Sequence, residues 1–267
     1  MVPVRRDVST HLELSVKGPA TLLFGAAASV PGAAIEERMS VDLDGSPTEP
    51  TLITDHYGSR LHQLVCDQSR VVLDYSASIT GHGDVPALDD IDLVTFLRPS
   101  RYCESDTLGP TAAAEFGGLA GPELLSAVAS WVHDKLAYVI GSSQPTDGAV
   151  RTLLARQGVC RDFAHLAIAL LRARDVPARL ASVYAPGLQP MDFHAVCEAW
   201  LDGCWQVVDA TWLAPRQTLV RISTGRDAAD TAFLTTQGAE VVLEDMQVSA
   251  VADSLPDDDW SSFVELR

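Results

Sequence analysis

Cys160, His194 and Asp209 are the residues of this 267-residue chain whose types, order and surroundings could carry covalent chemistry. Cys160 lies in Gln157-Gly158-Val159-Cys160-Arg161-Asp162-Phe163-Ala164-His165, where a turn hands into an amphipathic helix. Phe163, Leu166, Ala167, Leu170 and Leu171 recur at spacings of three and four, so one apolar stripe faces a core, and Asp175-Val176-Pro177 stops the helix. An isolated cysteine is ordinarily a small buried apolar residue. In the first turn of a helix, unpaired backbone N–H groups and the positive end of the dipole favour the thiolate instead.

His194 and Asp209 fall on a β-hairpin that turns at Asp202-Gly203, running from His194-Ala195-Val196-Cys197-Glu198-Ala199-Trp200-Leu201 into Cys204-Trp205-Gln206-Val207-Val208-Asp209-Ala210-Thr211. A two-residue or a four-residue loop sets Leu201 opposite Cys204, which makes Asp209 the diagonal neighbour of His194 on one face. An odd loop parts them. On one face, the carboxylate can orient the imidazole and stabilise its protonated form. Nucleophile, base and acid then stand in the order Cys160, His194, Asp209, which is a thiol-hydrolase arrangement. The chain contains no Asn, so the third member must be Asp or Glu.

Gly158-Val159-Cys160-Arg161-Asp162, Pro177-Ala178-Arg179, His194-Ala195 and Val208-Asp209-Ala210-Thr211 together resemble the transglutaminase-like superfamily over roughly residues 120 to 215. Leu97-Arg98-Pro99-Ser100-Arg101-Tyr102-Cys103 and Thr224-Gly225-Arg226-Asp227-Ala228-Ala229-Asp230 resemble bacterial transglutaminase-like proteins and candidate cysteine proteases. The chain departs from the family at Val196-Cys197, where many relatives have Trp-Val or a similar pair. The resemblance implies a papain-like plan, in which a helix carrying Cys160 packs on an antiparallel sheet carrying His194 and Asp209.

Other constellations carry less. His165 is expected to be a buried, hydrogen-bonded histidine, and Arg161 and Asp162 to cap and pair at the helix start. Cys160, His165, His194 and Cys197 could be assembled into a metal site, but no Cys-x-x-Cys or His-Glu-x-x-His accompanies them, so no metal or cofactor is expected. Asp257-Asp258-Asp259 reads as a solvated turn. Five irregularly spaced cysteines form no disulfide framework, which suits a reducing, cytoplasmic setting. The apolar run from Ala20 to Ala34 is interrupted by Gly and Pro and is neither signal peptide nor membrane span. A net charge of −17 argues against nucleic acid or an anionic membrane as partner.

The rest of the chain must position these groups. Alternating segments Thr10–Val16, Ala34–Leu43, Ser59–Val65 and Val71–Ile79 predict a small antiparallel β domain over residues 1–80, joined by a linker, Gly81–Asp92, to a catalytic domain over 81–267. Helices at Pro122–Tyr138 and Ala149–Arg156, the Cys160 helix, the strand Ala178–Tyr184 and the hairpin make the fold class α+β. Residues 217–251 are expected to return strands to the sheet. The function expected is a thiol-dependent amide hydrolase, of cysteine protease or amidase type, acting through an acyl-enzyme on a protein, peptide or small amide. Acyl transfer to an amine and a non-catalytic interaction module are the alternatives.

Overall fold

The structure, a computed structural model, describes residues 4–84, 89–260 and 262–267. The chain first lays down seven strands: β1 (Arg5–Val16), β2 (Ala20–Phe24), β3 (Ala34–Leu43), β4 (Ser46–Thr48), β5 (Thr51–Thr54), β6 (Arg60–Cys66) and β7 (Ser69–Thr80). In β1 every second residue, from Arg6 through Val8, Thr10, Leu12 and Leu14 to Val16, is buried. That period of two is what a strand with one covered face requires. Two antiparallel sheets enclose one apolar core to which Leu12, Leu22, Phe24, Leu64 and Leu73 contribute. The run from Ala20 is partly a strand of this sandwich, its apolar side chains spent on the sandwich core.

The helical part follows: α1 (Asp90–Thr95), α2 (Gly109–Phe116) and α3 (Gly121–Lys135), then β8 (Ala137–Tyr138), α4 (Ala149–Ala155), β9 (Gln157–Gly158) and α5 (Cys160–Arg172). α2 and α3 each open on Gly-Pro, with proline in the first turn where its missing N–H costs nothing. The helix expected to run to Tyr138 ends at Lys135. Leu136 is extended, and Ala137 and Tyr138 pair in parallel with Gln157 and Gly158. The single stripe expected on α5 is also corrected, because every residue from Asp162 to Arg172 is buried. The sheet covers one side and α2, α3 and α4 the others, and Ala164, Ile168 and Ala169 suit a helix buried all round. Burying Leu166, Leu170 and Leu171 contributes about 1.5–3 kcal/mol each.

A further antiparallel sheet, separate from the sandwich, carries His194: β10 (Ala178–Tyr184), β11 (His194–Leu201), β12 (Cys204–Val208) and β13 (Val220–Gly225), in the order β12-β11-β10-β13. Two last strands, β14 (Leu234–Gly238) and β15 (Val241–Ala252), do not join it. β14 pairs with β2 and β15 with β1, so within the segment expected to extend the catalytic sheet only β13 does so. The division at residue 80 is corrected for the same reason, since residues 234–252 build the N-terminal sandwich. Which sheet edge a late strand finds is decided by backbone hydrogen bonds that its own side chains do not announce. The last three residues of the expected linker, Asp90 to Asp92, open α1, and its residues 85–88 lie outside the described residues. The two layers are tied by Tyr184, whose hydroxyl receives a hydrogen bond from Thr10 Oγ1 at 2.5 Å and donates to the Ala26 carbonyl at 2.7 Å.

Candidate active site

Cys160 is the first residue of α5 and is half-buried. The turn before it is fixed by Asp162, whose Oδ2 accepts the Val159 N–H at 2.8 Å and whose Oδ1 receives Arg161 Nη2 at 3.3 Å. Gly158 is required for that approach: a Cβ there would stand 2.6 Å from the Cβ of Asp162. Arg161 Nη2 also donates to Ser143 Oγ and the Gln144 carbonyl, both at 2.6 Å, and so fastens the loop that follows Tyr138.

The hairpin register is the one a two-residue turn demands. Leu201 faces Cys204 and Cys197 faces Val208, with Asp202 and Gly203 at φ values of 51° and 90°. His194 and Asp209 therefore meet: His194 Nε2 donates to Asp209 Oδ2 at 2.9 Å, with both side chains shut from solvent. The other carboxylate oxygen, Oδ1, accepts the Thr211 N–H at 2.8 Å and the Thr211 hydroxyl at 2.7 Å. Nδ1 of His194 is buried and makes no hydrogen bond of ordinary length. Burial disfavours the imidazolium, but the charge and hydrogen bond of Asp209, followed by contact with the Cys160 thiol, hold the imidazole up at about 10. Burial likewise pushes Asp209 up, and His194 and Thr211 together pull it below the ordinary carboxylate range. The structure thus brings Cys160, His194 and Asp209 into one site.

Tyr138 belongs to this site, and sequence reasoning missed it. The β8–β9 pairing sets Tyr138 beside Gly158, and its ring lies 5.8 Å from that of Phe163, one turn into α5. Its hydroxyl lies near Cys160, and burial first, then charge at Cys160, pushes its pKa up. The available signal was a tyrosine just past a helix end, read as part of the helix. Asp192, two residues before His194, is exposed, yet the protein packed around its carboxyl withdraws enough water to raise its pKa.

The remaining candidates divide cleanly. His165 is fully buried, accepts the Ala228 N–H at Nε2 (3.1 Å), stacks on Tyr102, and is driven down to about 3 by burial. It shares no partner with Cys160. Cys197 is enclosed in the core beneath α5. Among the described residues His56, Asp89 and Asp92 bring ligand atoms within 4.8 Å of one another, but Asp92 Oδ2 already accepts the Asp89 N–H at the head of α1. The two outlying resemblances meet around α5. Arg172 donates to the carbonyls of Arg98 and Arg226 and to Ser100 Oγ, and Asp227 Oδ2 accepts the Tyr102 N–H. Asp258 is no solvated turn: its carboxylate is buried against Arg216, which provides the partner that a run of three aspartates does not reveal.

Comparison with known proteins gives the family and the fold. The family model of the transglutaminase-like superfamily matches residues 111–210. A candidate cysteine protease from Cytophaga hutchinsonii, solved by crystallography, is 32% identical, with a TM-score of 0.86 over 97% of this chain and 93% of that one. An uncharacterized protein of Mycobacterium leprae is 30% identical over 150 residues, which are 52% of this chain and 53% of that protein. An uncharacterized protein of Mycobacterium tuberculosis is 40% identical over 83 residues, 29% of this chain and 26% of that protein. The chain thus spans about half the length of the first of these curated relatives and about a quarter of the second.

Proposed function

The chain belongs to the transglutaminase-like superfamily, and from that premise we propose that it is a thiol-dependent amide hydrolase whose triad is Cys160, His194 and Asp209. The observation that carries the reading is the His194–Asp209 pair, sealed from solvent and bonded at 2.9 Å, with the half-buried thiol of Cys160 as its other neighbour. In this reading Asp209 keeps His194 protonated, and the imidazolium stabilises the Cys160 thiolate. The sulfur attacks the amide carbon, and the oxyanion settles between the Cys160 N–H and the Tyr138 hydroxyl, which lies near Cys160. His194 hands its proton to the leaving amine. Water, deprotonated by the neutral imidazole, then cleaves the thioester and restores the site.

A second reading is transfer of the same acyl group to an amine. It is favoured by Asp192, an exposed carboxylate whose charge acts on both His194 and Tyr138 and which offers an ammonium group a counter-charge beside the thioester. One experiment tests both: a panel of peptides and amides incubated with the protein, with and without an added primary amine. Hydrolysed product identifies the hydrolase, amine incorporation the transferase. Selective alkylation of Cys160 without any product would overturn both in favour of a binding module.

A further inference from the structure

Asp209 follows β12, which is the outer strand of the catalytic sheet, and such a strand presents unpaired backbone groups. The C-terminal segment covers it. Val207 donates its N–H to the Val264 carbonyl at 2.7 Å. Arg216 holds Asp258 through Nε at 2.8 Å and Nη2 at 2.7 Å, and its Nη1 reaches back to the Val207 carbonyl at 3.2 Å.

The same segment carries Trp260, which stacks on Trp212 with ring centroids 6.0 Å apart. Trp212 also stacks on His133 of α3 at 3.8 Å, and His133 Nδ1 donates to the Ala210 carbonyl at 3.1 Å. Trp212 and Trp260 are both left-handed, at φ values of 56° and 57°. A bulky side chain tolerates that conformation only where its surroundings impose it, and here two such residues share one stack. A cavity behind the stack is lined by Leu125, Asp209, Trp212, Arg216 and Trp260. The rings therefore bracket the turn from Asp209 to Thr211 whose hydrogen bonds orient the carboxylate.

We infer that the C-terminal segment is a clamp for the triad acid: Trp260, through Trp212 and against His133, fixes Asp209 where it meets His194. His133, Trp212 and Trp260 are positioning residues and touch no reacting atom. The inference rests on the proposed triad, so its test reads the His194–Asp209 contact directly. The charged or titratable groups that act on His194 are Asp209 after β12, Cys160 from α5 and Asp192 before β11.

His194 is titrated by nuclear magnetic resonance in the full chain, in the wild type and in Trp260→Ala and Trp260→Phe. The wild type is expected to titrate near 10, Trp260→Ala about one unit lower, a tenfold change in the ratio of the two forms, and Trp260→Phe with the wild type. Should Trp260→Ala fail to fold, Asp258→Asn frees the Arg216 anchor and is read in the same way. An unchanged titration in a folded Trp260→Ala or Asp258→Asn overturns the clamp. Turnover on the same samples keeps the two ideas apart: a wild type that makes no product refutes the hydrolase, while the titration still decides the clamp.

Discussion

β11 carries two buried charged clusters four residues apart, and they differ in one respect. At its start His194 meets Asp209. Further along, Glu198 lies between Arg179 and Arg221, with Oε1 taking Arg221 Nη2 at 2.7 Å and Oε2 taking Arg179 Nε at 2.9 Å and Arg221 Nη1 at 2.8 Å. Both are closed to solvent, and both are displaced from ordinary titration. Burial alone would raise Glu198, yet the two guanidinium groups hold it down at about 2. The face of Trp205, 4.0 Å from the Arg179 guanidinium, absorbs part of the surplus positive charge. Every oxygen of Glu198 is spoken for, whereas His194 keeps Nδ1 free beside a thiol that solvent reaches. Burial with a shifted pKa marks either structure or function. The free valence next to a nucleophile separates the two.

The comparison breaks first at Cys160. Cys160→Ala should remove at least about 10⁴ of the turnover while the melting temperature stays near the wild type, since the side chain is half-buried and the helix start is held by Asp162. Residual hydrolysis at the wild-type rate would take the nucleophile away from this end of the strand. Asp209→Asn keeps the shape of the pair and removes its charge, and kcat should fall about 10³-fold, or about 4 kcal/mol.

Glu198→Gln is the counterpart at the structural end. It should cost about 3–5 kcal/mol of unfolding free energy in urea, because two buried guanidinium groups lose their anion, while the folded fraction keeps its turnover. A smaller effect is expected from Tyr138→Phe, which removes one oxyanion donor and should lower kcat about 10²-fold with little change in KM.

The mildest test is pH. His194 is raised from 6.5 to about 10, so its contribution to stability is complete below about 6.5 and fades as the pH rises through 10. Glu198 and Asp209 are lowered, so theirs is complete above the ordinary carboxylate values of about 4 and fades as the pH falls below them. Unfolding free energy measured against pH should lose its alkaline decline in Asp209→Asn and keep it in Glu198→Gln.

The geometry of the candidate site was legible where chemistry and periodicity coincide. Cys160 was placed by its helix, and His194 with Asp209 by the parity of a hairpin whose Asp-Gly turn admits few geometries. Tyr138 was hidden because its role depends on a two-residue parallel pairing too short to leave a pattern. α1 and α2, at 6 and 8 residues, are also too brief for periodicity to show. Arg216–Asp258 and the return of β14 and β15 join residues that only the folded chain makes neighbours.

That return has a kinetic side. β1 is paired to β7 within the first 80 residues, but its other edge waits for β15, which ends at Ala252. Throughout synthesis of the helices and the catalytic sheet, a 12-residue strand with one finished flank offers its remaining backbone groups to any extended segment nearby. Closing the sandwich last means bridging more than two hundred residues, the kind of long-range pairing that makes folding slow. A nascent chain stalled before β15 should therefore be captured by chaperones or add itself to other strands, however well its catalytic half has formed.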